Sequence, residues 1–432
     1  MSKVFGRILS AALAASMLGG CVATSVEQAP LRDSYASDAP SISSERVARL
    51  SQLLQSYVDQ GRIAGAVVKI QQDGRDVYSE AFGWRDKEAG ARMQEDAIFR
   101  IASQTKALTT VGAMMLVEEG RLLLDDPVGK YLPEWKKTNV AVARAGGGYD
   151  VVPAKRPITI RDLMTHSAGI SYGSGPAEKA WRNAGFSSWY FANRAEPVSS
   201  AVARMAALPM AAQPGEKFVY GYNTDILGVI VEKISGQTLE AFLNERLIRP
   251  LGMNDTSFYL PQGKEDRLAT VYGVKGSGIE RAADAANWTT SQYHGQGHYV
   301  EGPRVAFSGG AGLLSTAADY SRFLEMLRRG GELDGRRYIS RKTVELMTTN
   351  HLGDIPYNAG MGFGLGFETR DDVGAAGKPG SVGEFGWGGA YHSTYWVDPA
   401  EGLTVVYLTQ LIPAGDIDDH GKLRALIYQA LD

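Results

Sequence analysis

Residues 98–106 read Ile98-Phe99-Arg100-Ile101-Ala102-Ser103-Gln104-Thr105-Lys106. The first four form a short, mostly apolar run. A helical pattern follows, with Leu108, Val111 and Met115 on one stripe. Ser103 and Lys106 are the only Ser-x-x-Lys pair in the chain. Residues three apart on a helix share a face, with Cβ atoms about 5–6 Å apart. A serine hydroxyl is a poor nucleophile until a neighbour takes its proton, and an amine at this spacing can help withdraw it. An ordinary surface serine and lysine have the same spacing, so the pair takes its meaning from two later motifs.

The second motif is Tyr220-Gly221-Tyr222, at the end of Pro214-Gly215-Glu216-Lys217-Phe218-Val219-Tyr220 and just before an apolar helical face made by Ile226, Ile230 and Ile234. A phenol can act as base and then as acid when a nearby cation favours its ionised form; Lys106 is the candidate cation. The third motif is Gly386-Trp387-Gly388-Gly389-Ala390, which leads straight into a strand at Tyr391. Glycines at a strand start let another backbone or a ligand approach closely, and a free N–H there can serve an oxyanion.

In this order and spacing the three motifs resemble those of the serine β-lactamase and penicillin-binding-protein superfamily, Ser-x-x-Lys, Tyr-x-Asn and Lys-Thr-Gly. The similarity is greatest to the class C-like branch that includes family VIII carboxylesterases. Leu163-Met164-Thr165-His166-Ser167-Ala168-Gly169, Asp225-Ile226-Leu227-Gly228 and Ser308-Gly309-Gly310-Ala311-Gly312-Leu313-Leu314-Ser315-Thr316 also resemble family segments. The resemblance spans about residues 45–430. It implies a β-lactamase-like fold, α/β plus all-α: an antiparallel sheet flanked by helices and built from both chain ends, with an inserted helical domain. It also implies Ser103 as nucleophile, Lys106 and Tyr220 as its proton-transfer partners, and the backbone N–H groups of Ser103 and Ala390 as the oxyanion hole. Tyr222, Asn223, Trp387, Gly388 and Gly389 are then the expected substrate contacts. Two departures bear on the substrate. Asn223 stands one place late for Tyr-x-Asn. Trp387 occupies the position of the lysine that attracts a β-lactam carboxylate, and offers an apolar wall instead.

Hydrophobic residues make up 44% and charged residues 22% of 432 residues, an ordinary globular balance. The net charge of −3 gives no basic field for nucleic acid. Lys3 and Arg7 precede an apolar stretch, Ile8 to Leu18, that is too short to span a bilayer and reads as a secretory signal. It ends Leu18-Gly19-Gly20-Cys21, which resembles the lipobox of bacterial lipoproteins, where the cysteine is lipidated. Val22 in place of aspartate favours the outer membrane by that analogy. Cys21 is the only cysteine, so no disulfide is available. The expected organisation is a signal at 1–20, a tether at 21–42 and a hydrolase domain at 43–432. Within the domain the α/β part covers about 43–102 and 305–432, and the helical part about 103–304.

Periodicity predicts helices at Ser44–Gln60, Ile160–His166, Ala317–Arg329, Ser340–Thr348 and Asp418–Leu431. A further helix runs from Leu239 through Phe242, Leu243 and Leu247, and Gly236 stops the one before it. Strands are expected at Ala64–Gln71 and Val77–Trp84, joined by a turn at Asp73-Gly74, and later at Phe363–Thr369, Tyr391–Val397 and Leu403–Leu411.

Gly169-Ile170-Ser171-Tyr172-Gly173 fits Gly-x-Ser-x-Gly, but that elbow needs a buried strand before it and a helix after it. Here a short helix precedes and a Gly/Ser loop follows, so Ser171 is set aside. His294 and His298 are four apart, yet Gly295 and Gly297 argue against a helix and no carboxylate or cysteine set joins them. His166 reads as a structural hydrogen-bonder. The expected protein is therefore a cofactor-free, metal-free serine hydrolase. It acts on a small ester, or alternatively as a D-amino-acid peptidase, amidase or weak β-lactamase on amides, and is lipid-anchored facing the periplasm. Whether Lys106 or Tyr220 takes the first proton stays open, because coupled groups share their titration.

Overall fold

The Asp73-Gly74 turn closes a hairpin in the structure, a computed structural model that describes residues 42–284 and 295–431. Both turn residues have positive φ, 50° and 77°, as two-residue hairpin turns of this kind require. The turn joins β1 (Gly65–Gln72) to β2 (Arg75–Asp86). Six more strands complete one antiparallel sheet: β3 (Ala91–Arg92), β4 (Met361–Phe363), β5 (Glu368–Arg370), β6 (Phe385–Gly389), β7 (Ser393–Asp398) and β8 (Leu403–Leu408). Their order is β4-β5-β6-β7-β8-β1-β2-β3. Strands from the two ends of the chain therefore meet at the centre, Val67 opposite Leu408 and Gln72 opposite Leu403. This is the sheet that the resemblance implied.

Side chains alternate across a strand, and here both faces are apolar. Val68, Ile70, Trp396, Val405 and Tyr407 face one layer; Val67, Tyr395, Val397, Val406 and Leu408 face the other. That double burial explains why Leu403–Leu408 is apolar at every position but Thr404. Seven helices matter for the site: α1 (Ser44–Asp59), α2 (Thr105–Glu118), α3 (Ile160–Met164), α4 (Asn223–Ser235), α5 (Leu239–Leu243), α6 (Ala317–Arg328) and α7 (Asp419–Tyr428). Leu50, Leu54 and Tyr57 of α1 and Leu423 and Ile427 of α7 cover the first face. Leu108 and Val111 of α2, Ile226 and Ile230 of α4, and Phe323 and Leu324 of α6 belong to the larger layer on the second.

Three sequence expectations need correction. The single strand expected at Phe363–Thr369 is two, β4 and β5, separated by a turn at residues 364–367. The strand expected from Tyr391 begins at Ser393. The glycine-rich motif, expected to open the strand at Tyr391, is itself a separate strand, β6, paired with β7 from Phe385–Val397 to Gly389–Ser393. A hairpin of Asn139–Ala143 with Tyr149–Pro153 was not anticipated. The N-terminal signal, Cys21, the tether to residue 41 and His294 lie outside the described residues. Among the described residues no helix is long and apolar enough to cross a membrane.

Candidate active site

The chain enters the site under constraint. Phe99 and Arg100 pair with Leu314 and Ser315. The buried Arg100 guanidinium donates to the carbonyls of Ala269 and Gln296, each at 2.7 Å. Ala102 then takes φ 42°, a left-handed conformation for a residue with a Cβ, which costs on the order of 1–3 kcal/mol and persists only where its surroundings enforce it. A 3₁₀ turn at Ala102–Gln104 follows and α2 begins at Thr105, so Ser103 stands on a tight turn at the mouth of the helix. The enforcement is visible. Ile101 N–H donates to Leu313 O at 3.1 Å, Leu313 N–H to Thr105 Oγ1 at 3.0 Å, and Tyr320 Oη to Gln104 O at 3.0 Å.

Lys106 lies one turn on and is 2% exposed. Its Nζ donates to Ser103 Oγ at 3.3 Å, to Tyr172 Oη at 2.9 Å and to Gly310 O at 2.7 Å. Three ammonium protons thus have three acceptors, which a buried lysine requires. Tyr220 lies against the same amine, with its ring centroid 4.6 Å from Nζ. The Tyr220 oxygen accepts from the Trp387 indole N–H at 3.1 Å. Trp387 is therefore more than an apolar wall: it aims a donor at the phenol oxygen.

Tyr172 is the residue that sequence reasoning missed. It comes from the Gly169–Gly173 segment, whose Ser171 is buried and donates to Ser174 O at 2.7 Å. The motif thus delivers its tyrosine to the site and turns its serine away. Burial, followed by the nearby Tyr220 and Asp225, pushes the Tyr172 hydroxyl well above the ordinary phenol value. The Gly-Ile-Ser-Tyr-Gly motif was set aside with its serine, and nothing in its spacing singled out position 172.

Strand β6 ends beside the turn that carries Ser103. A Cβ on Gly389 would lie 2.6 Å from the Ile101 carbonyl oxygen and 3.7 Å from Gln104 Cγ, so only glycine permits this approach. Ser103, Tyr172, Tyr220, Trp387, Gly388, Gly389 and Ala390 all line one cleft of about 910 Å³. All of these but Tyr172 were expected site residues, and Lys106, also expected, joins them.

Tyr222 and Asn223 do not, and their expected substrate contacts are corrected. Both are 0% exposed. Gly221 is pinned on the backbone of Ile170 and Ser171, with room for no Cβ, and the following residues turn into the core. Tyr222 stacks on Trp181 and donates to Ser188 O at 2.7 Å. Asn223 Nδ2 donates to His166 Nδ1 at 2.8 Å and to the carbonyls of Ile170 and Val219, each at 3.2 Å. His166 packs on Tyr220, centroids 4.6 Å apart, and burial, then the Lys106 charge, holds it well below the usual histidine value. It is a neutral structural ring. His298 places Nδ1 3.1 Å from Tyr190 Oη.

Among the described residues one group has metal-ligand types at close range: His392, Asp419 and His420, with donor atoms within 4.8 Å. The two imidazoles are stacked, 4.0 Å and 17° apart, so their lone pairs run side by side rather than converging on a point. Asp419 accepts from His392 Nε2 at 2.7 Å and from Tyr407 Oη at 2.7 Å. Burial works to raise its pKa, and the hydrogen bond and charge of His392 overcome that and hold it below the ordinary carboxylate value. The group secures the turn after β6, where His392 takes φ 62°.

A sheet closed from both chain ends, with a serine and a buried lysine at a helix mouth facing a glycine-rich strand, defines a serine hydrolase of the β-lactamase and penicillin-binding-protein superfamily, in its esterase-like branch. The chain belongs to the beta-lactamase family, whose model matches residues 50–429. It is similar to esterase EstB of Burkholderia gladioli, 31% identical over 84% of this chain and 90% of that one. Lovastatin esterase of Penicillium rubens is 30% identical over 84% and 93%. Among solved structures, EstCE1, a hydrolase with promiscuous acyltransferase activity, superposes with a TM-score of 0.73 at 29% identity, covering 89% of this chain and 99% of that one.

Proposed function

We propose that the protein is a carboxylesterase that works through an acyl-enzyme on Ser103. The observation that carries this reading is the contact of Ser103 Oγ with the buried Lys106 Nζ in a cleft where Trp387, bonded to Tyr220, stands at the position of the β-lactamase lysine. Ser103 Oγ attacks the ester carbonyl carbon. Its proton passes to Tyr220, directly or by way of Lys106, and from there to the departing alcohol oxygen. Water, deprotonated by the same pair, then attacks the acyl carbon, and the proton returns to Ser103 as the acid leaves. The N–H groups of Ser103 and Ala390 hold the oxyanion; one such donor is worth about 10²–10³ in turnover. A neutral ester needs no partner for a carboxylate, so the exchange of lysine for tryptophan costs it nothing, whereas a penicillin loses an ion pair.

Ser103→Ala is expected to lower hydrolysis of short p-nitrophenyl esters by about 10⁴ or more, and Ser171→Ala to leave it intact. Loss of activity in Ser171→Ala alone would place the chemistry elsewhere. Rapid turnover of a cephalosporin, or release of terminal D-alanine from a muropeptide in preference to ester cleavage, would replace the esterase reading with the β-lactamase or peptidase one.

A further inference from the structure

Behind Lys106 lies a carboxyl group that the ester chemistry above does not use. Asp225, in the first turn of α4, is 1% exposed. Its Oδ1 accepts from Ser308 Oγ at 2.6 Å and from Gly310 N–H at 3.1 Å. Gly310 in turn offers its carbonyl oxygen to Lys106 Nζ at 2.7 Å. One residue thus carries the acid on its N–H and the amine on its C=O. A Cβ on Gly310 would lie 2.5 Å from Asp225 Oδ2, so the approach depends on glycine.

We propose that Asp225 is a positioning residue: its buried carboxylate, acting across Gly310, is the counter-charge that fixes where the protons of the Ser103–Lys106–tyrosine cluster reside. This deepens the acyl-enzyme reading and rests on it.

The hydrogen bonds identify the ionised form. Both groups that reach Asp225 are donors. The Ser308 hydroxyl already accepts from Ala311 N–H at 3.1 Å, so its own proton is directed at Asp225. Oδ2 meets no hydrogen-bonding group among the described residues, so a proton placed there would be a buried donor with nothing to receive it. An anion in the first turn of a helix is also favoured by the helix dipole. On balance burial holds the Asp225 carboxyl above its ordinary value, and the Ser308 bond, the Lys106 charge and the Gly310 bond offset only part of that, so the ionised form rests on the hydrogen-bond donors around it.

The groups facing this pair from neighbouring elements are few. Around Lys106 stand Tyr172, Tyr220 and the neutral His166. Around Asp225 stand Lys106, Tyr172 and Tyr222, whose hydroxyl burial pushes up. Tyr357 and Tyr395, beyond Tyr220, are also raised by burial. Asp225 is thus the one carboxylate among them. It favours the arrangement in which Lys106 keeps three protons for its three acceptors, and a tyrosine oxygen takes the proton of Ser103.

The test is the rate of Ser103 labelling by a fluorophosphonate, followed against pH in wild type and Asp225→Asn. This reads proton transfer at Ser103 whatever the natural substrate is. Removing the anion lets the cluster release its proton more readily, so the acid limb of the profile is expected to move about one pH unit lower, the low end for loss of a nearby opposite charge. A purely structural role would lower the rate at every pH and leave the limb in place. Asp225→Ser, smaller and also neutral, serves if the asparagine variant does not unfold cooperatively. A folded variant with an unmoved limb overturns the proposal. Failure of wild type to be labelled at Ser103 would instead overturn the acyl-enzyme reading itself.

Discussion

Trp387 shows how one side chain can replace another by a different route. An indole cannot supply the charge of a lysine, yet its N–H reaches the Tyr220 oxygen at 3.1 Å. Trp387→Phe keeps the aromatic wall and removes the donor. Ester kcat/KM at neutral pH is expected to fall about tenfold, the size of one hydrogen bond to a group that becomes charged. KM for a given ester should change little. A variant with unchanged ester kcat/KM would show that the contact only packs. Ser103 and Lys106 were legible because their relation is local: three residues on one turn. Tyr172 was not, since its partner lies 66 positions away and is brought near only by tertiary folding. Tyr222 and Asn223 were misread for the opposite reason. They neighbour Tyr220 in sequence, but the tight passage at Gly221 sends them to the other side of the wall.

At the level of elements, β6 and the turn at Ala102–Gln104 act as one unit. Gly389→Ala would drive a Cβ into the Ile101 carbonyl, 2.6 Å away. The strand must retreat, taking the Ala390 N–H with it. We expect kcat to fall by about 10²-fold or more, as for loss of an oxyanion donor, with the thermal midpoint reduced by only a few degrees. Unchanged ester turnover would show that the strand edge plays no part in the reaction. Helices with a clear apolar stripe were legible to within a few residues: α1, α6 and α7 lie where their periodicity places them. β6 was hidden because Phe385-Gly386-Trp387-Gly388-Gly389 carries turn residues at strand positions. Its regularity comes from pairing with β7, which is a property of the sheet. The break between β4 and β5 was likewise invisible, since Gly364-Leu365-Gly366-Phe367 keeps an apolar alternation through the turn.

At the level of the molecule, buried carboxylates tie loops to helices. Asp162 closes the capping box of α3 and accepts from Arg156 Nη2 at 2.9 Å. Burial works to raise its pKa, and the Arg156 pair and the Thr159 hydrogen bonds more than offset it, so the folded value lies below the ordinary one. A depressed carboxyl stabilises the fold above the unfolded value and loses that contribution as pH falls through the folded value. The melting-temperature gap between wild type and Asp162→Asn is therefore expected to be full from neutral pH to about 5 and to close below about 4. A gap that persists unchanged at pH 3 would contradict the assignment. The two-ended sheet was legible as a pattern of strands at both ends of the chain. The cleft was not, because it is assembled from residues 103, 172, 220 and 387, whose meeting no local signal reports.

The pairing of β1 with β8 has a consequence for biosynthesis. While the ribosome is still elongating, the nascent chain presents a hairpin whose inner edge has no partner, and contacts of such long sequence separation form slowly. Stop codons late in the reading frame would therefore damage the protein far more than their position suggests, leaving most of the polypeptide made and its middle strand bare.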